Sequence, residues 1–477
     1  FKSVVVRLLT FLLGYMEGGN KMDTKKIDAK IRHILIPAIL ENAFLILSDM
    51  ILTGYIGRLT ISEISAYGIS TRIYGIYFSI LKGFGIGAMV VFARAFGSKN
   101  KEKGLLYYKQ ALIISLFVAV IAAVGIWLFP NELLSTMSTD SRLLTYGASF
   151  LKVHVLAYPL LAIIHLNSAV FQADGNTKTP LYIATIGNGI SVVLGYILIL
   201  GFGPVKGLGL YGAAITNNVR IIVMMLVGLY LLFAKNGMFD RVKIEKPIFN
   251  MDMIKDVLKF GVPTAIGNSF WNFASVFLST FILTYGEKFY AAYQIGLQAE
   301  GFCDMMASGF LTASMALASQ AIGANDEKMY KSAYQRLSFY CLIISGINMI
   351  FLLLFSKQVL YLLTDKEELV AIAHVYLLLM VFSQFPEMKS KVLYGYIRSA
   401  GLSTLPTVID TIGIWGVRVF LCYLVSTVLK MDIVWIWWII NADQWVKYLL
   451  SLLVFVVKKL INYLSVSPYK VARCSGR

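Results

Sequence analysis

Residues 83–97 read GFGIGAMVVFARAFG, residues 309–323 read GFLTASMALASQAIG, and the two stretches lie 226 positions apart. Between them Gly83-Phe84 meets Gly309-Phe310, Met89 meets Met315 and Gly97 meets Gly323. The same offset holds further out. Pro37 meets Pro263, Asn42 meets Asn268 and Tyr67 meets Tyr293, while Gly175 meets Gly401, Pro180 meets Pro406 and Thr185-Ile186-Gly187 meets Thr411-Ile412-Gly413. Paired halves around a central cavity are a common way to build an alternating-access transporter, so the repeat implies a duplicated membrane protein.

Composition agrees. Of 477 residues, 58% are hydrophobic and 14% charged, and the mean hydropathy is +0.72. That is too apolar for an ordinary soluble domain, and several apolar runs reach the roughly 20 residues that cross a bilayer. The net charge of +17 does not point to nucleic acid, because the basic residues occupy short connections and form no stripe with interleaved aromatics. Cys303, Cys341 and Cys422 sit in apolar segments and Cys474 in the tail, without a CxxC, so neither a disulfide framework nor a zinc site is implied. Residues 1–21 (FKSVVVRLLTFLLGYMEGGNK) are expected to be translated upstream sequence ahead of Met22, since Glu17-Gly18-Gly19 is what an in-frame ribosome-binding site encodes. The tail from 465 to 477 reads as disordered or artefactual.

Hydropathy predicts twelve membrane helices, at 33–57, 64–96, 107–129, 145–172, 180–202, 209–233, 256–284, 290–321, 333–355, 369–398, 406–428 and 433–457. The chain is therefore an all-α integral membrane protein with two parallel six-helix repeats. Residues 1–32 form an N-terminal segment, 33–233 the first lobe, 234–255 a linker, 256–457 the second lobe and 458–477 a tail. Lys25, Lys26, Lys30 and Arg32 precede the first span. Lys99, Lys101 and Lys103 follow the second, Lys235, Arg241, Lys243 and Lys246 the sixth, Lys328, Lys331 and Arg336 the eighth, and Lys458-Lys459 the last. The intervening loops, such as NELLSTMSTD and TDKEE, are mixed or acidic. By the positive-inside rule both termini and the linker are cytoplasmic, in a multi-pass plasma-membrane protein. Six spans per half preserve orientation, so the axis relating the repeats runs along the membrane normal.

Several motifs resemble the multidrug and toxic compound extrusion (MATE) transporters. PAILENAFLILSDMILTGYIGRL (37–59) is similar to that family's first helix, and MVVFARAFGSKNKEK (89–103) to the end of its second. FQADGNTKTP and its partner YIRSAGLSTLP resemble the glycine-threonine-proline turn after the fourth and tenth helices, and ASQAIGANDEK repeats the second-helix ending. The resemblance runs from 33 to 457. It implies a V-shaped pair of six-helix lobes that exports amphipathic, often cationic compounds against an inward flow of protons or sodium ions. On that reading the chain is a monomer and no enzyme, needs no cofactor beyond the coupling ion, and has small organic cations and the lipid bilayer as its partners.

Ionisable side chains inside spans cost roughly 2.5 to 3.5 kcal/mol on insertion scales, which makes each a functional candidate. Asp49 lies about 16 residues, or about 24 Å of helix, from the start of its span, and matches the first-helix aspartate that takes part in cation coupling in some MATE members. Asn42, seven residues earlier, shares nearly the same face. Glu41 is nearer the cytoplasm, and Lys82 falls at a depth between Glu41 and Asp49 on the next helix. Lys82 is expected to neutralise one of these carboxylates, with proton arrival exchanging the partner. In the second half, Glu300 and Asp304 share a helix face, as do Gln294 and Gln298. Glu300 matches a glutamate of related members. Asn268 and Asn272 form an amide stripe where some members carry a coupling glutamate, and Gly195 stands where some carry an aspartate. Such amides commonly hold helices together.

His165 could titrate near neutrality. Lys391, one turn from Glu387, is its counterpart at offset 226, although Pro159 and Pro386 differ by 227 and leave the register uncertain by one. Arg418 and Asp443 match a family arginine and aspartate and are expected to pair as a structural element. Phe270, Trp271, Phe273, Tyr293 and Phe302 could line an aromatic cavity for organic cations. A lipid-linked sugar flippase of the same superfamily is the alternative that a basic cavity around Lys82, Lys389, Lys391 and Arg418 would favour. A membrane enzyme is the remaining one, for which the chain offers no HExxH, paired-metal, nucleophile or phosphate-loop motif.

Overall fold

A proline inside a helix leaves the carbonyl four residues earlier without its N–H partner, and Pro37 and Pro263 are such prolines at equivalent places in the two halves. The computed structural model describes residues 21–136, 140–235, 237–240, 242, 249–458 and 460, and within them 12 helices are long and apolar enough to span a membrane. The first half holds α1 (Lys21–Ile56), α2 (Ile61–Gly97), α3 (Lys101–Leu128), α4 (Ser141–Asp174), α5 (Lys178–Leu200) and α6 (Gly209–Phe233). The second holds α7 (Met251–Leu283), α8 (Glu287–Ala324), α9 (Glu327–Leu363), α10 (Glu367–Ser399), α11 (Thr404–Val428) and α12 (Val434–Val457). A two-residue hairpin pairs Gly201–Phe202 with Val205–Lys206 between α5 and α6.

The helices outrun the hydropathy segments at the ends that carry the lysines. There α3, α7 and α9 open on side-chain caps from Asn100, Asn250 and Asp326, so polar residues extend the coil past the apolar stretch. Residues 1–20, Arg241, Lys243, Lys246, Lys459 and the tail from 461, with Cys474, lie outside the described residues. Cys303, Cys341 and Cys422 are free thiols buried in the core.

The repeat prolines now have a physical account. Pro37 frees the His33 carbonyl, and Thr177 Oγ1, at the start of the α5 segment, lies 3.0 Å from it and 2.8 Å from the Ile34 carbonyl. Pro263 frees the Lys259 carbonyl, and Ser403 Oγ donates to it at 2.5 Å. Thr177 and Ser403 are themselves 226 apart, and both follow by two residues a glycine at positive φ, Gly175 (88°) and Gly401 (93°), which ends α4 and α10. A hydroxyl from the neighbouring helix thus satisfies what proline leaves open inside the membrane.

The register question between α4 and α10 is also resolved. Each is interrupted by one 3-10 turn, Val155–Ala157 and Val381–Ser383, and these lie at the 226 offset, so the backbone repeat runs through unbroken. The odd proline spacing is a shift of one residue within the turn that follows.

Where the lobes meet, α2 crosses α8 near the lysine-rich ends, and α7 lies along α2 while α1 lies along α8. One hydrophobic core spans both lobes in this half, including Ile34, Phe92 and Val170 with Ala318, Tyr330 and Ile397. Towards the opposite ends it divides into one core per lobe, around Leu151 and Tyr158 in the first and Tyr376 and Trp437 in the second. The result is a V closed at the basic end.

Reciprocal bonds fasten that end. Arg94 on α2 donates to the Ser399 carbonyl at the end of α10, and Gln320, its counterpart on α8, donates to the Ala173 carbonyl of α4 at 2.6 Å. Lys30 reaches Gln320 Oε1 at 2.8 Å, Tyr107 donates to Asp256 at 2.8 Å, and Arg336 pairs with Asp28.

Thr177→Val and Ser403→Ala should each destabilise the protein by about 1–3 kcal/mol, because a buried carbonyl is left unpaired. Thermal unfolding in detergent checks this. Threonine at 403 should unfold like the wild type, since it restores the hydroxyl.

Candidate functional site

The first lobe encloses a cavity walled by α1, α2, α4, α5 and α6, with α8 of the second lobe closing one side. Its polar lining includes Glu41 and Asn42 on α1, Lys82 on α2, and His165 and Gln172 on α4. Tyr74 and Phe78 sit two turns and one turn before Lys82 on the same face, their ring centroids 5.7 Å apart, and Phe78 meets the His165 ring edge-on at 5.0 Å. Leu311, Thr312 and Met315 face this group from α8.

Lys82 faces Glu41 across the cavity and is coupled to it through space, without a direct contact. Glu41 accepts a hydrogen bond from Gln172 Nε2 at 3.1 Å, and the Lys82 ammonium lies 5.8 Å from the centre of the Phe78 ring with no ion pair among the described residues. Asp49 is taken by a residue outside the sequence expectation: Arg220 on α6 reaches it at 3.1 Å and the Asn188 side chain at 3.5 Å. Asn42 lines the cavity and bonds its own Ala38 carbonyl at 2.8 Å, whereas Asp49, further along α1, lies outside the lining.

In the second lobe Glu300 and Asp304 of α8 are joined by Glu387 of α10, with one oxygen of each within 4.8 Å of the others. Glu300 and Glu387 are buried and Asp304 is exposed, so the group opens on one side. Tyr376 donates to Glu300. Glu387 makes no ion pair with Lys391 among the described residues, and Lys391 lies 5.9 Å from the Tyr394 ring centre. Three carboxylates so close form an oxygen-rich, cation-attracting site of the kind that holds a proton or a small hard cation.

Arg418 and Asp443 do pair, at 2.7 Å, and Lys447 one turn further along α12 reaches the same Asp443 oxygen at 2.8 Å. Asp443 is fully buried and its other oxygen lies against Gly413. Neither Arg220 nor Lys447 was singled out from the sequence, although a lone cation in an apolar run is a legible signal.

Other expectations come apart. Phe270, Trp271 and Phe273 are exposed along α7, while Tyr293 is buried in the second-lobe core and stacks on Trp437 at 5.5 Å. The Phe302 side chain lies outside the described residues. Asn272 ties α7 to α2 through Ser79 Oγ at 2.7 Å, an interhelical clamp, and also bonds the Asn268 carbonyl at 3.1 Å. Gln294 is half-buried and Gln298 exposed, and neither they nor Asn268, Tyr293 and Lys391 line the first-lobe cavity.

The MatE family model matches residues 37–197 and 263–424, once in each half and together more than half of the chain. The "Probable multidrug resistance protein YoeA" of Bacillus subtilis is 26% identical over 406 residues, covering 84% of this chain and 88% of that protein. The "Probable multidrug resistance protein NorM" of Thermotoga maritima is 22% identical, over 92% of this chain and 94% of its own length. A solved structure described as an outward-facing conformation of a multidrug resistance MATE family transporter of the MOP superfamily superposes with a TM-score of 0.80. It is 19% identical and the match covers 92% of this chain and 97% of that one, which establishes the two-lobe fold.

Asp443→Asn should cost about 3–5 kcal/mol, because it strands two buried cations. Lys447→Met should cost less, since the Arg418 pair survives. Thermal unfolding of the two variants in detergent orders them, and equal melting temperatures would contradict the shared-carboxylate reading.

Proposed function

Since the chain belongs to the MatE family, we propose that it is a secondary active multidrug exporter, moving amphipathic organic cations outward in exchange for protons or sodium ions. The observation that carries this reading is that equivalent places in the two lobes are furnished differently. Tyr74 and Phe78 in the first lobe correspond at offset 226 to Glu300 and Asp304 in the second. Aromatic faces suit an organic cation, and crowded carboxylates suit a coupling ion, so substrate and ion are handled in separate lobes. The Asp49–Arg220 pair is the candidate for coupling within the first lobe, because Arg220 lines the cavity and links Asp49 to it.

Alternating access is supported by where the inter-lobe bonds lie. Those of Arg94, Gln320, Lys30, Tyr107 and Arg336 gather at the basic end, with the Asn272–Ser79 bond further along α7 and α2, so opening that end requires breaking a small set of polar contacts while each lobe keeps its own core. The lysines at that end support a cytoplasmic orientation for both termini and the linker in the plasma membrane. The protein acts as a monomer with no cofactor other than the transported ion. Its family and relatives are transporters, which supports transport over catalysis.

The experiment is efflux of a cationic dye from proteoliposomes under separately imposed proton and sodium gradients. Asp304→Asn and Glu387→Gln should still bind dye but lose gradient-driven movement by about tenfold or more, the size of a typical coupling energy. Full retention of driven efflux in both, with loss in Asp49→Asn, would move the coupling site to the first lobe. No movement of dye by the wild type under either gradient would overturn the exporter reading.

A further inference from the structure

Two cations act through space on the three carboxylates of the second lobe, and they are held differently. Arg418 of α11 reaches Glu300 in this way but is itself tied to Asp443 at 2.7 Å. Lys391 of α10 reaches Asp304 without a direct contact and stands four residues after Glu387. Its ammonium makes no ion pair among the described residues and lies 5.9 Å from the centre of the Tyr394 ring, whose hydroxyl donates to Asp410 at 2.9 Å. A glutamate four residues before a lysine is the order that pairs best across a helical turn, with Cβ atoms about 5–6 Å apart. A change of rotamer therefore carries the ammonium from Tyr394 to Glu387 without any movement of the backbone. Lys391 is half-buried and Asp304 exposed, so neither is packed rigidly in place. Three crowded carboxylates repel one another and need positive charge whether or not the transported ion is there to supply it. The counterpart of Lys391 in the first lobe is His165, so this arrangement belongs to one lobe only.

We propose that Lys391 is a tethered competitor for the coupling ion: when the ion leaves, the ammonium turns from Tyr394 onto Glu387 and Asp304, and when the ion arrives it is displaced back to the ring. Lys391 is then a positioning residue that weakens ion binding enough for release and keeps the charge of the lobe nearly constant through the cycle. The inference rests on the exporter reading with the ion in the second lobe, and adds to it the group that makes ion binding reversible.

The test measures dye efflux from proteoliposomes holding the full chain, with sodium chloride titrated at constant pH and, in a second series, pH varied without sodium. The ion that drives the wild type should reach half-saturation at about tenfold lower concentration in Lys391→Met and Lys391→Gln, which for protons is about one pH unit higher, the low end of what a neighbouring charge does to a carboxylate. The maximal rate should fall in both, because release slows. A packing defect would weaken ion binding, so the gain of affinity separates charge from structure, and unchanged dye binding shows that the variants are folded. Lys391→Arg, which keeps the charge, should keep the wild-type half-saturation. Half-saturation unchanged or raised in both uncharged variants, or a tenfold fall in Lys391→Arg as well, overturns the tethered competitor. The second-lobe ion site still stands in that case if Asp304→Asn and Glu387→Gln lose driven efflux. Wild-type driven efflux in those two variants overturns the ion site and the competitor together, as does the absence of drive by either ion in the wild type.

Discussion

Two helices cross where only glycine lets them. A Cβ built on Gly97 would stand 2.8 Å from the Cα of Gln320, and one on Gly323 would stand 2.9 Å from the Cα of Arg94, with the carbonyl oxygens of Gln320 and Arg94 closer still. Both contacts are backbone, so no side chain could yield to relieve them. The pair is reciprocal because each member is the other's repeat, which places the pseudo-two-fold axis between α2 and α8. From this crossing follow the bonds of Arg94 and Gln320 across the lobes, the single core at the basic end and the position of α8 as a wall of the first-lobe cavity.

On that symmetric frame the chemistry is asymmetric. The duplicated backbone keeps its prolines, its hydroxyl donors and its left-handed glycines in register, since each answers a constraint that the membrane imposes equally on both halves. Side chains facing the cavities are under no such common constraint. Aromatic rings in one lobe stand where carboxylates stand in the other, and His165 stands where Lys391 does. A transporter that must hold an organic molecule and an inorganic ion, and link their movements, gains from separating the two sites while keeping one moving frame.

The fold was legible because the repeat and the apolar runs are properties of the chain taken in order. So were contacts within one helix, as with Glu300 and Asp304 four residues apart. What could not be read was the rotation of one helix against the next. Depth alone put Lys82 between Glu41 and Asp49, but the partner of Asp49 comes from α6 and that of Glu41 from α4. The same gap hid Glu387 as third member of the carboxylate group, and it separated the exposed aromatic residues of α7 from the buried Tyr293. Pairing of Arg418 with Asp443 was reached through family resemblance, and Lys447, one turn from Asp443, is the contact that helix geometry alone offered.

Coupled exchange is tested by counting the ion when the drug is the driving force. Proteoliposomes loaded with a pH-sensitive or sodium-sensitive fluorophore are given an outside-to-inside gradient of cationic dye and no imposed ion gradient. Dye entry through wild-type protein should drive protons or sodium ions out, and in Asp304→Asn that ion signal should vanish while dye binding persists. Dye movement through the wild type with neither ion moving in return would contradict coupled antiport.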